Sequence, residues 1–173
     1  MNTYAVAVVG RDRPGIIADV TGALAAHGGN VEDSSMSLLR GTFAWTLIVS
    51  FEIATAAELD VTLDPLRSPE LAVTIFPVSA TSSPPRRDMC KFQLTVHGAD
   101  HSGIVSAITR VVADHAGNVT DLSTRLGGGL YVVIAEFDLP VGRDADALAA
   151  ELRRVAAAVG VSAHLAPADS DLL

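Results

Sequence analysis

The chain is poor in cysteine, in basic residues and in long apolar runs. Its 173 residues include one cysteine, Cys90, so no internal disulfide can form, and a reducing, cytoplasmic location is expected. Twelve Lys and Arg against 20 Asp and Glu give a net charge of −8, which argues against direct binding of nucleic acid. The longest charge-free run, residues 71–85, is broken by Pro77. It is shorter than the roughly 18 apolar residues of a membrane-spanning helix, so no membrane contact is expected.

Apolar residues nevertheless make up 49% of the chain, and the mean hydropathy is +0.38. Such a composition is typical of a folded globular protein and excludes a disordered chain. The apolar surplus is therefore expected to be buried inside the fold or against a partner.

The sequence contains an internal duplication at an offset of 88 residues. Residues 4–51 align with residues 92–139 without a gap, and 15 of these 48 positions are identical. The shared residues include polar ones such as Asp12 and Asp100, which argues against a chance similarity of two Ala/Val-rich segments. We therefore predict a first domain at 1–78 and a second domain at 90–166. A linker rich in proline and serine at 79–89 joins them, and an acidic tail occupies 167–173.

Each half shows the periodicity of strands and helices in the order βαββαβ. Large apolar residues occupy every other position from Phe43 to Phe51, which predicts a half-buried strand. Thr55 and Glu58 have the spacing of a capping box and open a helix. The first half is predicted to have strands at 4–9, 31–39, 43–51 and 71–76 and helices at 14–27 and 55–66. The second half is predicted to have strands at 92–96, 119–126, 131–137 and 161–166 and helices at 103–116 and 144–159.

The βαββαβ order predicts an α+β fold of two ferredoxin-like domains in tandem, with both helices on one face of each sheet. The other face of each sheet is left uncovered, and we call it the bare face. In the first half it carries Ala5, Ala7, Val9 and Ile48, whereas in the second half polar residues such as His97 take these positions. An apolar uncovered face is typical of an interface, so we expect the C-terminal domain or a second chain, as in a homodimer, to cover it.

Two motifs carry a family resemblance. An Asp-x-Pro-Gly-Ile turn (Asp12 to Ile16) follows the first strand. Gly-x-Asn-Val (Gly28 to Val31) follows the first helix of the first half, and Gly-Asn-Val (Gly117 to Val119) follows that of the second. A βαββαβ half with these motifs resembles the ACT domain, a module that binds amino acids and regulates enzymes or transcription. Two such domains with nothing else resemble the glycine cleavage system transcriptional repressor family. That resemblance implies action through a protein partner, without direct DNA binding.

The resemblance also implies a ligand site between two domains, at the first β–α loop and the start of the second strand. The residues that it implies are Asp12, Pro14, Gly15, Ile16, Asn30 and Val31 in the first half and Asp100, Gly103, Ile104, Asn118 and Val119 in the second. Free N–H groups at a helix start attract a carboxylate, an aspartate can pair with an ammonium group, and asparagine both donates and accepts. These properties suit an amino-acid zwitterion.

Structural interpretations of the same residues stay open. Asp12 and Asp100 can stabilise a helix start, Gly15 and Gly103 can serve tight turns, and the two asparagines can occupy turns for backbone reasons. Ser102 replaces the proline that matches Pro14, and we expect it to cap the helix.

No catalytic set, metal site or cofactor is predicted. The leading hypothesis is a regulatory protein that senses an amino acid or a similar small metabolite and acts through a protein partner. The alternatives are an interaction module without a ligand and a regulatory fragment of a metabolic enzyme.

Overall fold

The computed structural model describes residues 1–78 and 88–168. The chain divides into two compact units, Met1–Pro84 and Pro85–Leu173. Each unit contains a four-stranded antiparallel sheet and two α-helices in the order βαββαβ, which confirms the predicted α+β, ferredoxin-like class. Most of the predicted linker and of the acidic tail lies outside the described residues, so the domain bounds stay predictions.

The elements of the first unit are β1 Asn2–Arg11, α1 Ile16–Ala26, β2 Asn30–Leu39, β3 Thr42–Phe51, α2 Ala56–Leu63 with a 3₁₀ turn at Asp64–Leu66, and β4 Leu71–Val78. Its strand order is β2-β3-β1-β4, so β2 and β4 are the edges of its sheet. Alternate residues of β1 and β3, such as Val6, Leu47 and Val49, are fully buried beneath the two helices.

The elements of the second unit are β5 Met89–Ala99, α3 Ile104–Asp114, β6 Asn118–Gly127, β7 Leu130–Pro140, α4 Ala145–Ala158 and β8 Val161–Pro167. Its strand order β6-β7-β5-β8 repeats the topology of the first unit. Its core is formed by strand residues such as Leu94 and Phe137 and by the helix residues Ile108 and Leu152.

The second helix of each unit begins with a side-chain cap. The predicted capping box of α2 is present: Glu58 N donates to Thr55 Oγ1 at 3.3 Å, and Thr55 N donates to Glu58 Oε2 at 2.8 Å. These contacts with the Thr55 N–H and hydroxyl lower the pKa of Glu58. In α4, Ala147 N donates to Asp144 Oδ1 at 2.9 Å. In both helices a side chain therefore accepts from one of the first N–H groups, which otherwise lack a partner within the helix.

Two equivalent glycines let the chain pass close to the core after the first helix of each unit. A Cβ atom on Gly29 would lie 2.6 Å from the Phe51 ring, and one on Gly117 would lie 2.7 Å from Val112 Cγ1. Both distances are too short for a methyl group, so packing explains why both halves have glycine here.

The residue just before this glycine differs between the units, and this difference generates a stability prediction. Gly28 has φ +75°, whereas the equivalent Ala116 has φ +63°, a left-handed conformation that strains any residue with a Cβ. We expect Ala116→Gly to raise the free energy of unfolding by about 1 kcal/mol, measured by denaturation followed by circular dichroism. Gly28→Ala is the matched control and should lower it by a similar amount. Equal stability of all three proteins would contradict this account.

Candidate functional site

The two loops that precede the first helices have the same backbone conformation. Gly15 and Gly103 are the N-cap residues of α1 and α3, with φ +92° and +95°. This left-handed conformation favours glycine, so the turn requires glycine whether or not a ligand binds. The prediction that α1 begins at Pro14 is wrong, because Pro14 lies in the turn before the N-cap and the helix begins at Ile16.

These two helix starts lack the side-chain caps that α2 and α4 have. Among the described residues, no side chain accepts a hydrogen bond from the first N–H groups of α1 or α3. The expectation that Ser102 caps its helix is therefore wrong, because Gly103 takes the N-cap position. Asp12 and Asp100 do not cap the helices either. A helix start without a cap leaves N–H groups with partial positive charge that can receive an anion.

In the first unit an open cleft lies beside this helix start, and we call it the loop cleft. Its volume is about 500 Å³, and Asp12, Gly15 and Ile16 are among the residues that line it. The opposite wall consists of Met36 and Leu38 of β2, with exposed fractions of 50% and 52%. The loop cleft, which Arg13 also lines, thus combines an acidic and a basic group and an open helix start with an apolar wall.

Met36 and Leu38 were not predicted as site residues. They pair with Trp45 and Phe43, whose side chains face the core, so they lie on the helix-covered side of the sheet. The alternation of Met36 and Leu38 with serines in β2 is visible in the sequence. Their exposure is not, because it depends on how far the helices extend over the edge strand.

Charged groups and backbone contacts hold the loop of the first unit. Arg13 Nη2 lies 2.8 Å from Asp19 Oδ2, and Arg13 Nη1 donates to the Pro14 carbonyl at 3.1 Å. Asp12 N donates to the Gly41 carbonyl at 3.0 Å, which ties the loop to the β2–β3 turn. The Asp12 carboxylate itself is exposed and makes no ion pair with any described residue.

The structure does not bring Asn30 to the loop cleft of its own unit. Asn30 pairs with Ser50 at the end of the sheet where β1 begins, whereas Asp12 follows the last residue of β1. At about 3.3 Å per residue, the ten residues of β1 separate these two ends by about 30 Å. Asn30 lines a different cleft, and Val31 beside it is exposed. The loop residues and the strand-start residues are therefore two separate groups within one unit.

The second unit repeats this division. Asp100 and Gly103 are exposed in the β5–α3 loop, and Asn118 pairs with Asp138 at the opposite end of the sheet. Val119 is half-buried beside Asn118. Ile104 is buried in the core, as is its equivalent Ile16. Their side chains serve packing, so a ligand could use only their backbone N–H groups.

A larger open cleft of about 630 Å³ lies beside α2 and was also missed from the sequence. Its lining includes His27 and the exposed side chains of Ile53 and Val61. Because the N-terminus of α2 is already capped by Thr55, this cleft lacks the open helix start of the loop cleft.

The repeated histidines link helices. His27 Nε2 lies 3.1 Å from Thr62 Oγ1, and His115 Nε2 lies 2.9 Å from Glu151 Oε2, so each joins the end of the unit's first helix to its second helix. The contact with His115 lowers the pKa of Glu151.

Across the described residues there is no group of three or more histidine, cysteine or acidic side chains placed to hold a metal ion. No helix in these ranges is long and apolar enough to cross a membrane.

Comparisons with known proteins cover both units. The ACT domain model matches residues 3–76 and 91–166. An unknown protein from Galdieria sulphuraria has a solved structure that superposes with a TM-score of 0.77, at 29% identity, over 97% of this chain and 99% of that one.

Two curated relatives match parts of the chain. The glycine cleavage system transcriptional repressor of Escherichia coli is 28% identical over 121 residues, which are 69% of this chain and 63% of the repressor. UPF0237 protein MK1213 of Methanopyrus kandleri is 40% identical over 67 residues, which are 39% of this chain and 69% of that protein. The chain thus matches less than two thirds of the length of the E. coli repressor.

The backbone of the loop generates a second stability prediction. Because Gly15 has φ +92°, we expect Gly15→Ala to lower the free energy of unfolding by about 1–2 kcal/mol. Gly22 lies within α1 with open space around its Cα, so Gly22→Ala should instead raise it by up to about 1 kcal/mol. Chemical denaturation of both variants checks the opposite signs, and a shift of the same sign in both would refute the assignment.

Proposed function

The chain belongs to the ACT domain family, and on this premise we propose that it is a non-enzymatic regulatory protein that binds an amino acid or a similar small metabolite. The observation that carries the proposal is the repeated helix start without a side-chain cap behind Gly15 and Gly103. In the first unit this helix start opens onto the loop cleft, which the exposed residue Asp12 also lines.

The chemistry of these groups matches the two ends of an amino acid. Backbone N–H groups at the helix start favour the α-carboxylate, because they carry partial positive charge and their residues line the cleft. The Asp12 carboxylate favours the α-ammonium group through a charge-assisted hydrogen bond. The apolar wall formed by Met36 and Leu38 suits an aliphatic part of the ligand. We propose the same role for Asp100 and the start of α3 in the second unit.

We propose that Asn30 and Asn118 contact a ligand only when a second copy of the chain supplies them. Since Asp12 and Asn30 lie at opposite ends of one sheet, a ligand that contacts both kinds of residue would have to be shared by two copies of the chain. Val31 and Val119, beside the asparagines, would then flank the ligand. Ligand binding would stabilise the assembly of the two copies and so change the contacts with a protein partner.

The similarity to a transcriptional repressor supports a proposal about the kind of protein partner through which the chain acts. The E. coli relative is named for repression of the glycine cleavage system. The net charge of −8 disfavours direct contact with DNA, so we propose a cytoplasmic protein that acts through another protein, such as a transcription factor.

Calorimetric titration with the twenty amino acids tests ligand binding. We expect at least one to bind, and we expect Asp12→Asn and Asp100→Asn each to weaken binding at its own unit about tenfold or more, because each removes a charged partner of the ammonium group. Glu32→Gln, at an exposed position of β2, is the control and should leave the affinity unchanged. Circular dichroism verifies that each variant folds. Absence of binding heat and of any thermal shift would favour the interaction module instead.

The bare face of the first sheet supports assembly as a homodimer. Ala5, Ala7 and Ile48 are half-buried there, whereas Val9 and Phe76 have exposed fractions of 46% and 54%. Because strand register places Phe76 beside Ala5, these residues form one apolar surface. We propose that a second copy of the chain covers it.

Multi-angle light scattering tests this assembly. The unmodified protein should have the mass of a dimer, and Val9→Lys or Phe76→Lys should shift it toward the monomer, because a lysine charge would have to be buried in the interface. Val61→Lys, on the exposed face of α2, is the matched control and should leave the dimer intact. A monomeric unmodified protein would contradict the proposal.

A further inference from the structure

In the second unit one imidazole ring connects the β5–α3 loop to the end of α4. His101 Nδ1 lies 3.1 Å from the Ser102 carbonyl oxygen, and His101 Nε2 hydrogen-bonds to the carbonyl oxygen of Val159, the C-cap residue of α4. A carbonyl oxygen can only accept a hydrogen bond, so each ring nitrogen must carry a proton to make its contact. Only the imidazolium form makes both contacts at once.

The surroundings of His101 favour this charged form. The carbonyls of Ser102 and Val159, and to a smaller extent the nearby Asp100, raise the pKa of His101, although desolvation of the exposed ring acts in the opposite direction. The last turn of α4 and the first residues of β8 and α3 are uncharged, so no described cation opposes the proton from these elements. The C-terminal end of α4 also favours a positive charge.

The first unit has a permanent cation at the same place. Arg13 is equivalent to His101 at the offset of 88, and its guanidinium also donates to the carbonyl of the next residue, Pro14, at 3.1 Å. Its second contact is with Asp19 at 2.8 Å. Arginine stays charged at all physiological pH values, whereas histidine loses its charge near neutrality. The two units therefore hold the same loop by groups of different pH response.

We propose that His101 is a pH-dependent latch, which holds the β5–α3 loop against the end of α4 through both contacts when the ring is protonated and loosens it when the neutral ring keeps only one of them. Since the two contacts together need the second ring proton, the stabilisation is complete at low pH and is reduced as the pH rises through the titration of His101. The equivalent loop of the first unit stays fastened over the same range. The latch does not require a ligand. Its consequence for a ligand at Asp100, tighter binding at lower pH, does rest on the proposed function.

Hydrogen exchange of the full chain without ligand tests the latch at pH 6 and pH 8. Protection factors, which correct for the intrinsic pH dependence of exchange, are compared for residues 99–105 and 11–17. We expect several-fold lower protection of residues 99–105 at pH 8 than at pH 6 and no such change in residues 11–17. An NMR titration of the histidine ring signals assigns the change to His101.

Three variants separate the latch from other effects of pH. His101→Arg should keep the protection at both pH values, and His101→Gln, which is neutral at both, should lower it at both. His97→Gln is the matched control, because His97 lies in β5 outside the loop, and it should keep the response of the unmodified protein. If the protection of residues 99–105 is equal at both pH values, or if His101→Arg loses it as the unmodified protein does, the latch is wrong. The unmodified protein and His101→Arg decide the question even if His101→Gln does not fold.

Discussion

Burial of one face of a four-stranded sheet beneath two helices holds each unit together. The alternate residues of the two central strands are buried at this interface, together with the apolar stripes of the helices. The helix layer is narrower than the sheet, so it leaves the edge strand β2 exposed along its whole length. The loop cleft follows from this mismatch, since Met36 and Leu38 lie on the covered side of the sheet but beyond the helices. The packing that stabilises the fold thus also creates its candidate binding surface.

Most of the fold could be predicted from the sequence, because its signals are local. The alternation from Phe43 to Phe51 and the spacing of Thr55 and Glu58 determine a strand and a helix start without reference to the rest of the chain. The predicted ends of helices were less accurate where an unusual backbone conformation sets the first helical residue. The left-handed Gly15, for example, delays α1 until Ile16.

The candidate site could be predicted only in part, because it depends on distances between elements. The sequence predicts loop residues that line the loop cleft, such as Asp12 and Gly15, but the resemblance groups them with Asn30, which the strand order places at the far end of the same sheet. No pattern in a single sequence states that separation directly. The duplication compensates in part, since equivalent positions show which features the fold requires in both units. Gly29 and Gly117 are such a pair, each required by close packing against a different side chain.

The exposed edge strand β2 affects how readily the chain aggregates. From Ser34 to Leu39, β2 contains neither a charged residue nor proline, and in its sheet it pairs only with β3. A long edge strand of this composition can template pairing with other extended chains, which is the first step of aggregation. A partner that pairs with that edge would therefore also protect the chain from aggregation.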